Sequence, residues 1–213
     1  MISVDIDRAQ FQDAQERLDH IKNGAARALS RALNKTASKA KTIASRAIRN
    51  QINLSAAYVR ENLRGPANGF DYKATVNKLT ARLSASKRGV LLYQFSTNSV
   101  AATGRPPEQI KVMVKPGRSV AILSAFWVRT KKSNKLTPAV RNSVLQQLNM
   151  TSTTDSGSFT VLHGPSLSQV FSTVKDDIGG DMSQTLTDNF AHEMEWLLTK
   201  FPPPGDDGSS EEP

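Results

Sequence analysis

Between residues 22 and 50 the chain carries eight basic side chains and no acidic one, while its apolar residues recur at helical spacing. That combination commits the segment to an amphipathic helix with a cationic back. Phe11, Ala14, Leu18, Ile21, Ala25, Leu29, Leu33, Ala40, Ile43 and Ala47 follow one another at steps of three, four or seven and define one stripe to be buried. At 100° per residue Arg27, Arg31, Lys35, Lys39, Arg46 and Arg49 fall opposite it. The first four form three consecutive like-charged i,i+4 pairs, each costing about 0.2–0.5 kcal/mol in an isolated helix. Packing or an anion must offset that cost. These six residues are therefore the candidate face for an anionic partner or a neighbouring subunit. Asp5 or Asp7 suits the helix start, and Asn23-Gly24 suits a break, which predicts a helix to about residue 22 and a longer one over 25–50. Ser55 is placed to cap a third, short helix over 56–63.

The stripe of the long helix is mostly alanine, so its natural partner is bulky. Residues 167–201 supply one, with Phe171, Ile178, Leu186, Phe190 and Trp196 among the apolar positions and Gly179-Gly180 as a break or kink. Between the helical ends the period changes to two. Leu79, Ala81 and Leu83 alternate with polar residues over 79–86, and 90–95 is a second apolar run. Ile110, Val112 and Val114 alternate before Pro116-Gly117, and 119–128 returns as a further apolar run, so 109–128 reads as a hairpin. Residues 138–148 have the spacing of a short helix, with Val140, Val144, Leu145 and Leu148 on one side, and 151–158 is a Ser/Thr/Gly tract expected to be mobile. The expected architecture is α+β: helices over 7–63 and 166–201 packed on a mainly antiparallel sheet from about 74–128 and 158–162. All of it belongs to one domain, 1–201, followed by a disordered acidic tail, 202–213.

Charge is distributed unevenly. Residues 1–141 carry 26 Lys+Arg against eight Asp+Glu, and 142–213 carry two against eleven, so a segment of net +18 precedes one of −9. Such asymmetry points to a polyanion near one half or to pairing of unlike surfaces between copies. Lys131, Lys132 and Lys135 add a candidate basic loop.

Several functions are disfavoured. The chain lacks cysteine, which removes disulfides, thiolate catalysis and cysteine-ligated zinc. No apolar run approaches the ~18–20 residues of a bilayer span, and the first ten residues lack the apolar core of a secretion signal. The phosphate-binding G-x-x-x-x-G-K-[ST], the dinucleotide G-x-G-x-x-G and the nucleophile elbow G-x-S-x-G are all missing. His192-Glu193 opens like a zinc-protease helix, but Trp196 stands where the second histidine is required. No catalytic, metal or cofactor-binding residue is nominated, and the reading is of a non-enzyme.

Three segments together resemble the minor tail protein Z, or tail completion protein, family of tailed bacteriophages. They are the helix AARALSRALNKTASKAKTIASRAIRNQ followed by LSAAYVRENL, the strand end Ala125-Phe126-Trp127-Val128, and VLHGPSLSQVF over 161–171 with its Gly-Pro-Ser turn. Residues 131–158 depart from the family's usual basic hairpin, and the acidic tail lies outside the resemblance. The resemblance implies a structural virion protein at the head-proximal end of the tail, assembled in the host cytoplasm. It implies a role in finishing the tail and making it competent for head joining. Implied partners are copies of itself in a hexameric ring, tail tube and tail terminator proteins, head–tail connector proteins and, non-specifically, the DNA in the channel. No membrane and no cofactor are implied. Reversing Arg31 and Lys35 to Glu is expected to impair assembly with the fold intact. The alternative, from charge alone, is a non-specific basic DNA-binding protein of the nucleoid or assembly-scaffold type.

Overall fold

The computed structural model describes residues 6–64, 73–97, 109–129, 136–147 and 158–203. Its elements are α1 (Arg8–Arg17), α2 (Gly24–Gln51), α3 (Ala56–Asn62), β1 (Leu63–Arg64), β2 (Ser84–Ala85), β3 (Gly89–Leu91), a 3-10 turn (Leu92–Phe95), β4 (Ile110–Lys115), β5 (Arg118–Ile122), β6 (Ala125–Arg129), β7 (Leu136–Arg141), α4 (Asn142–Gln147), β8 (Phe159–Val161), β9 (His163–Ser166) and α5 (Leu167–Lys200). The fold is α+β, and every pairing with a defined register is antiparallel. The strands form small separate sheets of two or three strands. The chain divides into two compact units. One comprises Met1–Ala44, Leu63–Ser84 and Ser172–Pro213, the other Ser45–Asn62 and Ala85–Phe171. The expected tail lies almost wholly outside the described residues, which end at 203.

In the first unit Asp7 caps α1, its carboxylate accepting from the Ala9 amide at 3.2 Å. Asn23, at φ 57°, turns the chain into α2 where Asn-Gly predicts it, but α1 ends at Arg17, short of the expected residue 22. The core joins Ala14, Leu18, Ala25, Ala28, Leu29, Ala32 and Leu33 to Leu186, Phe190, Met194 and Leu197. Alanines at 0% exposure, Ala28 and Ala32, let the α2 backbone approach α5, whose large side chains supply the buried area. Cross-links between the helices run in opposite senses along their sequences, Thr36 with Asn189 at 3.0 Å and Lys39 with Thr185 at 3.1 Å, so α2 and α5 are antiparallel. Asn34 holds the strap that follows, its amide exchanging two 2.9 Å hydrogen bonds with the Ala74 backbone.

Two expectations are corrected here. The strand expected over 79–86 shrinks to the two residues of β2. The alternation is real, but Leu79 and Ala81 pack on the helical core, and burial of one face needs no ladder. Of the two readings of Gly179-Gly180, a break or a kink, the break is absent, since α5 is one helix of 34 residues. Buried Ile178 and Met182 anchor it on either side, and tertiary packing outweighs the roughly 1 kcal/mol cost of each glycine.

In the second unit Val59, Val90, Phe95, Ile110 and Leu167 form the interior, each at 1% exposure or less. Ser55 caps α3 through the Tyr58 amide at 3.2 Å. The expected hairpin forms as β4 and β5 around Gly117, whose φ of 77° suits glycine. The apolar run over 119–128 nonetheless splits into two strands of different sheets at Ser124, φ 63°. The helix expected over 138–148 begins only at Asn142. Residues 138–141 belong to β7, the middle strand of β6–β7–β8. Thr137, Pro138, Ala139 and Val140 are all buried, and a strand covered on both faces loses its period-two signature. The Pro138 carbonyl still accepts from the Leu162 amide at 2.9 Å. Leu148 and the tract at 151–157 lie outside the described residues.

The Gly-Pro-Ser segment does double duty. Gly164 and Pro165 lie within β9 rather than ending a strand, and Ser166 starts α5 as a reciprocal cap. The Gln169 amide donates to Ser166 Oγ at 3.2 Å, while Gln169 Oε1 accepts from the Ser166 amide at 2.9 Å. A Cβ on Gly164 would stand 2.6 Å from Phe95 Cε2, with that ring fully enclosed. Gly164→Ala should therefore lose about 1–3 kcal/mol. Gly180→Ala, where a Cβ meets nothing within 4 Å, should gain about 1 kcal/mol. Urea unfolding midpoints of the two variants check both signs.

Candidate functional site

The cationic face of α2 and the surface of α5 beside it form the site with the most defined chemistry. Arg27, Arg31, Lys35 and Lys39 are all exposed, on the part of α2 that belongs to the first unit. Arg46 and Arg49 are also exposed, on the part that belongs to the second. Lys41, one position off that face, is buried at 6% exposure. Lys131, Lys132 and Lys135 lie outside the described residues.

The anion that the repeated like charges require is Glu193 of α5. Its side chain is 6% exposed, Arg31 Nη1 lies 3.5 Å from Oε2, and the Lys35 ammonium contacts Oε1. The i,i+4 spacing of Arg31 and Lys35 places one cation on each carboxylate oxygen, which offsets the central like-charge repulsion. Trp196 follows Glu193 by nearly one turn and lies on the same side of α5. The Arg31 guanidinium stacks over its ring at 4.4 Å, and the Lys200 ammonium approaches the same ring at 4.9 Å. Trp196 remains 37% exposed and so leaves the buried stripe to which its spacing assigned it. Arg31, Asn34, Lys35, His192, Glu193 and Trp196 line an open groove of about 450 Å³.

Glu193 and Trp196 are the residues that sequence reasoning missed. The charge pattern on α2 announced the need for an anion, but a single glutamate on a distant helix carries no local mark of being the partner. Among the described residues no carboxylate lies within ion-pair distance of Arg27, Lys39, Arg46 or Arg49. The cationic face thus has a centre reduced to one net charge by Glu193 and flanks without a described carboxylate.

Among the described residues no group of three or more His, Cys, Asp or Glu is placed to hold a metal ion, and no helix is long and apolar enough to cross a membrane. Elsewhere, in the second unit, burial and to a lesser extent Tyr93 raise the Tyr58 phenol above its ordinary value.

The burial of Glu193 makes the cluster asymmetric. Arg31 and Lys35 keep about half of their side-chain surface in water, 46% and 52%, so they can do without the glutamate. The glutamate cannot do without them. Glu193→Gln should cost about 1 kcal/mol or less. The pair Arg31→Leu with Lys35→Met keeps stems over a carboxylate without a counter-charge and should cost about 2–3 kcal/mol, most of it recovered by adding Glu193→Leu. Urea unfolding of the set measures the difference, and equal costs would show that the carboxylate draws no support from the cations. Reversal of Arg31 and Lys35 to Glu would bring three carboxylates together, so Arg27 and Lys39 are the better probes of the surface.

No curated protein and no solved structure gives a significant match to the chain. A family model described as prophage minor tail protein Z matches residues 10–201, which spans α1 to the end of α5 and takes in all three segments of the resemblance. The chain belongs to the prophage minor tail protein Z family.

Proposed function

We propose that this phage tail structural protein is a tail completion protein, which forms a hexameric ring at the head-proximal end of the tail, around the DNA channel. The family match over 10–201 carries the reading. Its mechanism is shape and charge: repeat one subunit contact until it closes, finish the tube, and offer connector proteins a surface to join.

Two features of the chain support it. Strand β5 pairs only with β4 among the described strands, and its residues 118–121 are all exposed. Val120 at 49% and Leu123 at 77% exposure are large apolar side chains next to that open edge. An edge without a described partner, with apolar neighbours, suits the subunit seam of a ring. The exposed Arg27, Lys39, Arg46 and Arg49 suit an acidic neighbour or the phosphates of passing DNA.

Cryo-EM of the head–tail junction tests the placement directly: a ring of this chain at the tail's upper end is expected, and its absence from particles would overturn the reading. Val120→Lys with Leu123→Asp should abolish ring assembly with tail partners while thermal unfolding stays within a few degrees of the parent. Arg27→Glu with Lys39→Glu should lower the yield of head-joined particles by about ten-fold or more, which is about 1.4 kcal/mol of lost coupling. Unchanged plaque titre would show that face to be merely solvated. Tight, steeply salt-dependent binding of free duplex by the isolated chain would favour the general DNA-binding alternative.

A further inference from the structure

We propose that the acidic stretch beyond α5, with Asp206, Asp207, Glu211 and Glu212, docks in the same molecule on the cationic face of α2, along Arg27, Arg31, Lys35 and Lys39 beside Trp196. The chain would thus occupy its own anion-binding surface until a stronger polyanion displaces it. The inference stands apart from the role proposed in the tail.

Three observations converge on it. The first is where the stretch begins. The Phe201 carbonyl lies 2.8 Å from His20 Nε2, at the end of the unit where α2 starts, and Lys200 is seated over Trp196 at 4.9 Å. Because α5 runs antiparallel to α2, the chain leaves α5 beside Arg27 and not at the far end of the cationic face.

The second is reach. Arg27 and Lys39 are twelve residues apart, about 18 Å along a helix axis at 1.5 Å per residue. Asp206 and Asp207 follow Phe201 by five and six residues and can span roughly 16–20 Å at about 3.3 Å per residue, and Glu211 and Glu212 can span roughly 33–36 Å. The two acidic pairs therefore reach both flanks of the face. Gly205, after three consecutive prolines, is the residue in this stretch that best tolerates the reversal of direction needed.

The third is complementarity. Glu193 satisfies the centre of the face but leaves Arg27 and Lys39 without a described carboxylate, whereas the stretch offers two carboxylate pairs and no cation. Trp196, exposed between two cations, marks the floor that the stretch would cross.

The absence of cysteine makes the test clean, because Ser209→Cys in the full chain takes a single bimane fluorophore, which tryptophan quenches on contact. In low salt, emission should rise about two-fold when Trp196→Phe is added, and the same rise should follow about 1 M salt, where screening shortens to roughly 3 Å. Asp206→Asn, Asp207→Asn, Glu211→Gln and Glu212→Gln together should abolish the quenching, as should added inorganic polyphosphate competing for the cations. Quenching should not depend on protein concentration. Emission insensitive to Trp196→Phe, to salt, to polyphosphate or to removal of the carboxylates would overturn the proposal. Quenching that grows with concentration would overturn it as well, since the stretch would then dock on a second copy.

Discussion

A carboxylate withdrawn from water between two helices is the constraint on which the first unit turns. Glu193 is enclosed by α5, α2 and the side chains of Arg31 and Lys35, and an ion so placed is tolerable only when its counter-charges stand at fixed positions. Alanine packing alone would leave α2 free to slide on α5, because Ala28 and Ala32 present nearly featureless surfaces. The ion cluster, together with the Thr36–Asn189 and Lys39–Thr185 hydrogen bonds, removes that freedom. Close approach comes from small residues, adhesion from Leu186, Phe190 and Leu197, and register from polar contacts.

The same arrangement shapes what the surface can do. A helix with four evenly spaced cations would be a uniform rod of positive charge. Folding sets one carboxylate, Glu193, against the middle two and stacks one of them on Trp196, so the centre keeps one net charge and the ends of the array keep theirs in full. In the role proposed above, such a patterned surface would suit recognition of another charged surface by shape and spacing. Strand β5, which pairs only with β4 among the described strands, and Leu123 beside it supply an independent apolar surface in the second unit.

Legibility in the sequence followed how local each cause was. Asp7, Ser55 and Ser166 cap helices because a side-chain oxygen meets amides two or three residues away, and Asn23-Gly24 breaks the N-terminal helices by a local backbone preference. The β4–β5 hairpin was equally visible, from alternation around Pro116-Gly117. Where burial overrode local preference, the reading failed. Leu79 and Ala81 alternate like a strand but pack on helices, the α5 glycines are carried through by Ile178 and Met182, and β7 is buried on both faces.

By itself the sequence determined the α+β class, the long cationic helix, the bulky partner helix and the family, because periodicity, capping and composition are properties of neighbouring residues. Only the tertiary structure decided which charges remain available to a partner. Whether Arg31 is a surface cation or half of an internal ion pair depends on a glutamate 162 positions away, and such pairings are set by how helices pack.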